Sequence, residues 1–189
     1  YAVNPFGADH QSSEHDPMYE EGASDLYLGR LARLGLTDPR PPYSLDEEKI
    51  RFAYLTQLFY SFLDSAGLCQ FVYGPAWTLY GPDETVEMVR AVTGWTDFTL
   101  EELLRIGERR LNMLRWFNVR EGLDRRADQL PRKFFKALQG TGPTAGTALD
   151  PEAMERALDR YYELAGWTRE GIPTPERLRA LGLGWLLEG

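Results

Sequence analysis

The feature that most constrains this fold is a run of apolar residues at helical spacing, bounded by residues that start and stop helices. The run steps by three to four residues, which places it on one helix face: Ile50, Leu55, Leu58, Phe59, Phe62 and Leu63. Upstream, Ser44 and Glu47 have capping-box spacing. Downstream, Gly67 suits the left-handed residue that closes a helix. We therefore predict a long buried helix ending at about Ala66.

The same start and stop signals predict helices along most of the remaining chain. Thr99 and Glu102 repeat the capping-box spacing, and Pro151 and Pro175 each occupy the first position of a helix. The further predicted helices cover residues 18–34, 82–92, 99–117, 131–138, 151–164 and a last one from about residue 174. Alternating strand patterns are nearly absent. The sequence thus predicts an all-α, multihelical fold with six or seven helices in one or two subdomains.

Proline and glycine segments suggest the domain organisation. The proline-rich stretch at 38–42 separates residues 1–43, a loop plus one helix, from a C-terminal helical domain at 44–189. Residues 140–147 are glycine-rich but lack the Lys-Ser/Thr of a phosphate loop, so we predict a linker there. Because the chain opens on Tyr1 and continues as loop, we expect it to be the C-terminal part of a larger protein.

Charge and hydropathy disfavour several classes of partner. The net charge is -8, which argues against binding to nucleic acid or to an anionic membrane surface. No apolar run approaches the roughly 18 residues of a membrane span, and no secretion signal is evident. The cytoplasm is therefore the expected compartment, and a single cysteine agrees with a reducing setting.

That cysteine lies in Asp64-Ser-Ala-Gly-Leu-Cys69, directly beyond the predicted helix end. One thiol can neither close an internal disulfide nor hold a metal cluster alone, so a ligand role for Cys69 needs partners from other polypeptide. From the residues alone, a buried apolar cysteine is the simpler interpretation. Asp64 likewise has a simple alternative, a polar residue exposed at a helix end.

The two histidines lie in the N-terminal loop. His10 and His15 stand among acidic residues, a composition found in metal sites, but their irregular spacing in a loop makes a purely protein-ligated metal site a weak hypothesis.

Recognisable segments are distributed along nearly the whole sequence: residues 1–10 (YAVNPFGADH), 64–69 (DSAGLC), 93–95 (TGW), 101–109 (EELLRIGER), 117–122 (FNVREG), 161–167 (YYELAGW) and 171–175 (GIPTP). In this order they resemble the C-terminal domains of one family, the tungsten-containing aldehyde:ferredoxin oxidoreductases. In that family a tungsten or molybdenum ion is held by two pterin dithiolenes beside a 4Fe-4S cluster. Aldehydes are oxidised to carboxylic acids, and the electrons pass to ferredoxin.

The resemblance implies roles for individual residues. Asp64 would accept hydrogen bonds from the pyrimidine edge of a pterin, Gly67 would let the backbone approach the flat ligand, and Leu68 would bond it through its peptide groups. Cys69 would be the fourth cluster ligand, with the other three, a CxxCxxxC set, in an N-terminal part of the same polypeptide. His10 would assist proton transfer or orient the substrate beside the metal.

The resemblance is less close after His10, where the chain reads QSSEHDP, and this leaves the substrate undetermined. His15 would share or replace the role of His10, or be an ordinary loop residue. Two other functions stay open: a cofactor-free helical scaffold or interaction domain, and the related active-site subunit that reduces benzoyl-coenzyme A. We expect no tungsten, pterin or iron on these 189 residues alone. A homodimer is compatible with the resemblance.

Overall fold

The computed structural model describes residues 1–188 and is built from helices. The α-helices are α1 (Asp25–Arg33), α2 (Glu47–Ala66), α3 (Pro82–Thr93), α4 (Leu100–Arg120), α5 (Pro151–Ala165) and α6 (Pro175–Ala180). Between residues 1 and 188 there are two isolated β-bridges and no strand. The all-α prediction is confirmed, and six helices fall within the expected number. The division at residue 43 stays a prediction.

The centre of the fold is α2, which packs chiefly against α4 and also against α5. Most of its residues are buried, including polar ones such as Thr56 and Ser61. One end of α2 joins a core cluster with α5 through Tyr54 and Leu58. The other end joins α3 and α4 through Phe59 and its neighbours. Helix α2 therefore forms the shared wall of two core clusters.

Helices α2 and α4 touch at a glycine. A Cβ atom placed on Gly107 would lie 1.9 Å from the carbonyl oxygen of Leu58, so only glycine permits this separation of the two backbones. The Ser61 hydroxyl donates a hydrogen bond of 2.9 Å to the Gly107 carbonyl. This contact sets how closely the end of α2 lies against α4.

Several helix boundaries agree with the sequence prediction, especially at C-terminal ends. Gly67, Gly94 and Gly166 all close helices in the left-handed conformation. Thr99 caps α4 by accepting a hydrogen bond from the Glu102 amide. Local residue types therefore predict where these helices end.

Two predicted helix starts are wrong. The helix predicted from residue 18 begins at Asp25, because Gly22 takes a positive φ of 89° and Ser24 caps the helix instead. Ser44 does not cap α2, because its hydroxyl donates to the Pro41 carbonyl. Asp46 takes that place and accepts from the Lys49 amide at 3.0 Å.

The helix predicted at 131–138 is also wrong, since only the 3-10 turn Arg132–Phe135 forms there. The following backbone pairs with a later segment instead of continuing a helix. The amide of Leu138 donates to the Thr147 carbonyl, and the amide of Leu149 donates to the Phe134 carbonyl. Residues 140–147, the predicted linker, thus form a turn whose ends are hydrogen-bonded.

A search of residues 1–188 finds no helix that combines the length and the apolar character needed to cross a membrane.

Candidate functional site

The C-terminal end of α2 brings together four of the predicted site residues. Gly67 adopts φ 67°, and the amide of Leu68 then turns back to donate to the Leu63 carbonyl at 2.9 Å. This pattern is the Schellman motif. Asp64 lies in the last helical turn and Cys69 two residues beyond Gly67, so both side chains belong to one compact helix end.

Asp64 is held in place by two nitrogen donors. Its Oδ1 accepts from Gln70 Nε2 at 2.9 Å, and its Oδ2 lies 3.1 Å from Arg110 Nη1 on α4. The side chain is 35% exposed. Asp64 is therefore an oriented carboxylate at an accessible helix end, unlike a residue that simply frays into solvent.

Cys69 is exposed and forms no disulfide. Its carbonyl accepts hydrogen bonds from the amides of Val72 and Tyr73, both at 3.0 Å, which fixes the backbone from which the thiol projects. Leu68, by contrast, is half-buried against the core cluster around Phe59. The backbone after α2 is thus anchored on both sides of an accessible sulfur.

The residues at this helix end fit a flat ligand with N–H donors. A carboxylate has about four acceptor positions, and the two hydrogen-bonding contacts of Asp64 leave others free. No atom lies within 4 Å of the position that a Cβ on Gly67 would take, so a ring can approach the backbone there. The Leu68 amide is already used by the Schellman motif, which leaves only its carbonyl for a ligand.

A metal ion would need ligands from elsewhere. Within residues 1–188, no group of three or more His, Cys, Asp or Glu side chains is arranged to hold one. The acidic residues around His10 and His15 form no such group. Cys69 can supply one thiolate ligand to an iron-sulfur cluster, and one ligand is not enough to hold such a cluster.

The N-terminal loop, residues 4–15, is fixed to both central helices. The Asn118 side chain on α4 donates to the Pro5 carbonyl at 2.7 Å, and the Arg110 guanidinium lies 5.3 Å from the centre of the Phe6 ring. At the other end, the Glu14 amide donates to the Thr56 hydroxyl on α2 at 3.1 Å. The loop between these anchors carries His10.

His10 is exposed, and its ring centre lies 6.2 Å from that of His15. Two residues beyond His10, Ser12 lines a cleft whose wall also includes Asp64 and Arg110. This cleft, whose volume of about 10 Å³ has room for about one water molecule, lies between the histidine loop and the end of α2. Neither His10 nor Cys69 lines it directly.

The back of the loop holds a buried carboxylate. The Glu14 side chain is fully covered, and its Oε1 accepts the His15 amide at 2.9 Å. Burial raises the pKa of the Glu14 carboxyl from an ordinary 4.5 to about 7, although hydrogen bonds from backbone amides and from the Tyr60 hydroxyl favour the charged form. Glu14 therefore changes charge near neutral pH.

Three residues of this region are missing from the sequence prediction as site residues: Glu14, Tyr60 and Arg110. Each of them forms a hydrogen bond with a residue more than 40 positions away. Glu14 also contacts its neighbour His15. The sequence holds only a weak indication of the place of Arg110: it follows Gly107 by three residues, and residues three apart are neighbours on a helix surface. For Glu14 the sequence holds no indication, since no nearby residue shows that a carboxylate in a loop is buried.

Comparison with known proteins places the chain in a family. The family model described as "Aldehyde ferredoxin oxidoreductase, domains 2 & 3" matches residues 1–183. The tungsten-containing aldehyde ferredoxin oxidoreductase of Pyrococcus furiosus is 38% identical over 152 residues, which cover 79% of this chain and 24% of that protein. The enzyme of the same name from Thermococcus kodakarensis is 35% identical over 156 residues, with coverage of 82% and 24%.

More distant relatives carry other names. An aliphatic sulfonate oxidoreductase WOR-like subunit of Pyrococcus furiosus is 32% identical over 136 residues, covering 69% of this chain and 21% of that one. The solved active site complex BamBC of benzoyl coenzyme A reductase, in complex with 1,5-dienoyl-CoA, matches with a TM-score of 0.65 and 20% identity. That match covers 99% of this chain and 31% of the other, and it supports the fold alone.

The chain spans about a quarter of the length of the aldehyde ferredoxin oxidoreductases that it matches. Since the family model covers nearly all of its residues and the identity to these relatives exceeds a third over most of its length, the chain belongs to the aldehyde ferredoxin oxidoreductase family.

Proposed function

We propose that this chain is the C-terminal portion of a tungsten- or molybdenum-dependent bis-pterin, iron-sulfur oxidoreductase that oxidises aldehydes to carboxylic acids and passes the electrons to ferredoxin. The observation that carries the proposal is the pairing of an oriented carboxylate, Asp64, with an exposed thiol, Cys69, at one helix end. A scaffold domain would more simply seal its only cysteine in the core.

In this proposal Asp64 binds a pterin through its free acceptor positions. Gln70 and Arg110 would hold the carboxylate in the orientation that the ligand needs. Gly67 leaves room for the ring, and the Leu68 carbonyl adds a further acceptor. The chemistry supplied by the bound metal centre is two-electron oxidation of the aldehyde, with onward transfer of single electrons through the cluster.

Cys69 would ligate that cluster as one of four thiolates, with the remaining three on the N-terminal part of the same polypeptide. Its anchored backbone suits this role, because a rigid ligand lowers the cost of ordering the site on binding. His10, exposed on the loop, would accept a proton released by the substrate.

Aldehyde oxidation is favoured over reduction of an aromatic thioester because the relatives named for aldehyde oxidation share more than a third of their aligned residues with this chain. The benzoyl coenzyme A reductase complex is 20% identical to this chain, and at that identity the similarity supports a common fold alone. Cytoplasmic location, the ferredoxin acceptor and a homodimer are part of the same proposal.

The test uses the full-length polypeptide, purified without oxygen, beside its Asp64→Asn variant. We expect pterin and tungsten or molybdenum in the parent, aldehyde-dependent reduction of ferredoxin, and about tenfold weaker cofactor retention in Asp64→Asn. Asp83→Asn is the matched control, because Asp83 is exposed and pairs only with Arg33. Equal cofactor content in Asp64→Asn and Asp83→Asn would mean that Asp64 has only a structural role. A parent protein free of pterin would overturn the proposal.

A further inference from the structure

Glu14 is a buried carboxylate for which the proposed function has no role yet. Its Oε1 accepts the His15 amide, and its Oε2 lies 3.5 Å from the Tyr60 hydroxyl. Backbone amides of Ala76 and Trp77 also donate to it. Within residues 1–188, its only ion-pair partner is the His15 imidazole, whose Nδ1 lies 3.6 Å from Oε1.

Glu14 contacts one of the two histidines and one residue of the cleft wall. The His15 side chain is 37% exposed, and its Nδ1 lies 3.6 Å from Glu14, while the centres of the His10 and His15 rings are 6.2 Å apart. Tyr60, which contacts Glu14, also lines the cleft that includes Asp64. A single buried acid therefore contacts the histidine loop and the wall of the cleft.

Other nearby charged groups are occupied elsewhere, which leaves the His15 imidazole as the side chain facing the Glu14 carboxylate. Asp16 is committed to Lys49 of α2 at 2.8 Å, and Asp9 accepts the Gln11 amide within its own turn. From α2 only the hydroxyls of Thr56 and Tyr60 face Glu14. The segment after α2 contributes only peptide amides.

We propose that Glu14 is a positioning residue for His15, and that the pair serves His10 by taking up one of the protons released in aldehyde oxidation. This inference rests on the proposed function. A carboxylate facing Nδ1 favours the tautomer with the proton on that nitrogen, which leaves Nε2 of His15 free to accept another proton.

The balance of the reaction requires such an acceptor. When water adds to the aldehyde carbon, a C–O bond forms while the aldehyde C–H bond and one water O–H bond break, which yields the carboxylic acid, two electrons and two protons. The electrons go to ferredoxin in the proposed function, one proton goes to the histidine loop and the other goes to bulk water. The raised pKa of the Glu14 carboxyl, about 7, lets it hold or release a proton near neutral pH beside the His15 ring, whose Nδ1 lies 3.6 Å from Oε1.

The kinetic test compares the full-length enzyme with its Glu14→Gln variant across pH. We expect kcat to fall about tenfold with little change in KM. The rising limb of kcat/KM should move, because the variant lacks the carboxyl whose pKa of about 7 places its ionisation in this range. Asp9→Asn, in the same loop, is the control and should leave the limb in place. An unmoved limb in Glu14→Gln would overturn the inference while leaving aldehyde oxidation intact.

A second readout does not depend on turnover. In infrared difference spectra of the full-length protein against Glu14→Gln, a protonated-carboxyl band should titrate near pH 7. Its midpoint should shift in His15→Gln, since the imidazole whose Nδ1 lies 3.6 Å from Oε1 is removed. A band that is absent, or that ignores His15→Gln, would contradict the pairing. Because His15 is half-exposed and its replacement should fold, pH-difference spectra of the parent and of His15→Gln decide the matter even if Glu14→Gln fails to fold or the parent fails to oxidise aldehydes.

Discussion

Replacing Gly107 by alanine should strongly destabilise the chain, against the usual effect of this change in a helix. Gly to Ala within a helix normally stabilises by about 1 kcal/mol. At Gly107 the new Cβ would lie 1.9 Å from the Leu58 carbonyl oxygen and 2.8 Å from its carbon. Both are backbone atoms, so no side chain can rotate away and α2 must move from α4 by roughly 1 Å or more to restore an ordinary contact distance.

The magnitude follows from three contributions. Overpacking of this kind costs about 1–3 kcal/mol, and the separation also weakens the Ser61 hydrogen bond to the Gly107 carbonyl, worth about 1 kcal/mol. The gain in helix propensity offsets about 1 kcal/mol. We expect a net loss of about 1–3 kcal/mol, or a fall in Tm of roughly 2–12 °C.

The assay is urea or thermal unfolding followed by circular dichroism, with Gly29→Ala as the matched control. Gly29 lies within α1, and no atom lies within 4 Å of the position that its new Cβ would take. Gly29→Ala should therefore be neutral or stabilising. If Gly107→Ala were as stable as Gly29→Ala, the close contact between α2 and α4 would be refuted, and with it the placement of Arg110 beside Asp64.

Three further variants test the site and its support. Asp128→Asn should cost about 3–5 kcal/mol, because it leaves the buried Arg115 guanidinium without its bidentate partner; denaturant unfolding measures the loss. Relative to Glu14→Gln, the parent should lose about 3 kcal/mol between pH 4.5 and somewhat above 7, because the folded Glu14 keeps its proton to higher pH than the unfolded chain. Constant relative stability across that range would contradict the burial of Glu14. Arg110→Ala in the full-length protein should weaken pterin retention less than Asp64→Asn does, since Arg110 only orients the carboxylate; an equal or larger loss, measured as pterin per protein, would give Arg110 a direct contact.

Much of the fold could be predicted because the decisive signals are local. The apolar spacing along α2 and the glycine after it are enough to predict a buried helix that ends at a left-handed residue. Gly107 falls on the predicted inner face of α4. The failures at Ser44 and at 131–138 have one cause: a hydrogen bond to a residue outside the local pattern took the place of the expected one.

The candidate site divides in the same way. The grouping of Asp64 and Cys69 is local, so their proximity followed from the sequence. The contacts that orient Asp64 and bury Glu14 join distant positions, Arg110 in one case and Tyr60 in the other. Only the packed structure reveals them, because no residue pattern near either carboxylate encodes its partner.

The central claim is that Cys69 completes an iron-sulfur cluster beside a pterin-bound metal. The most direct test is metal analysis with electron paramagnetic resonance on the full-length protein and its Cys69→Ser variant, both purified without oxygen. The account predicts iron with tungsten or molybdenum in the parent and a lost or altered cluster signal in the variant. A metal-free parent, or identical signals from both proteins, would contradict it.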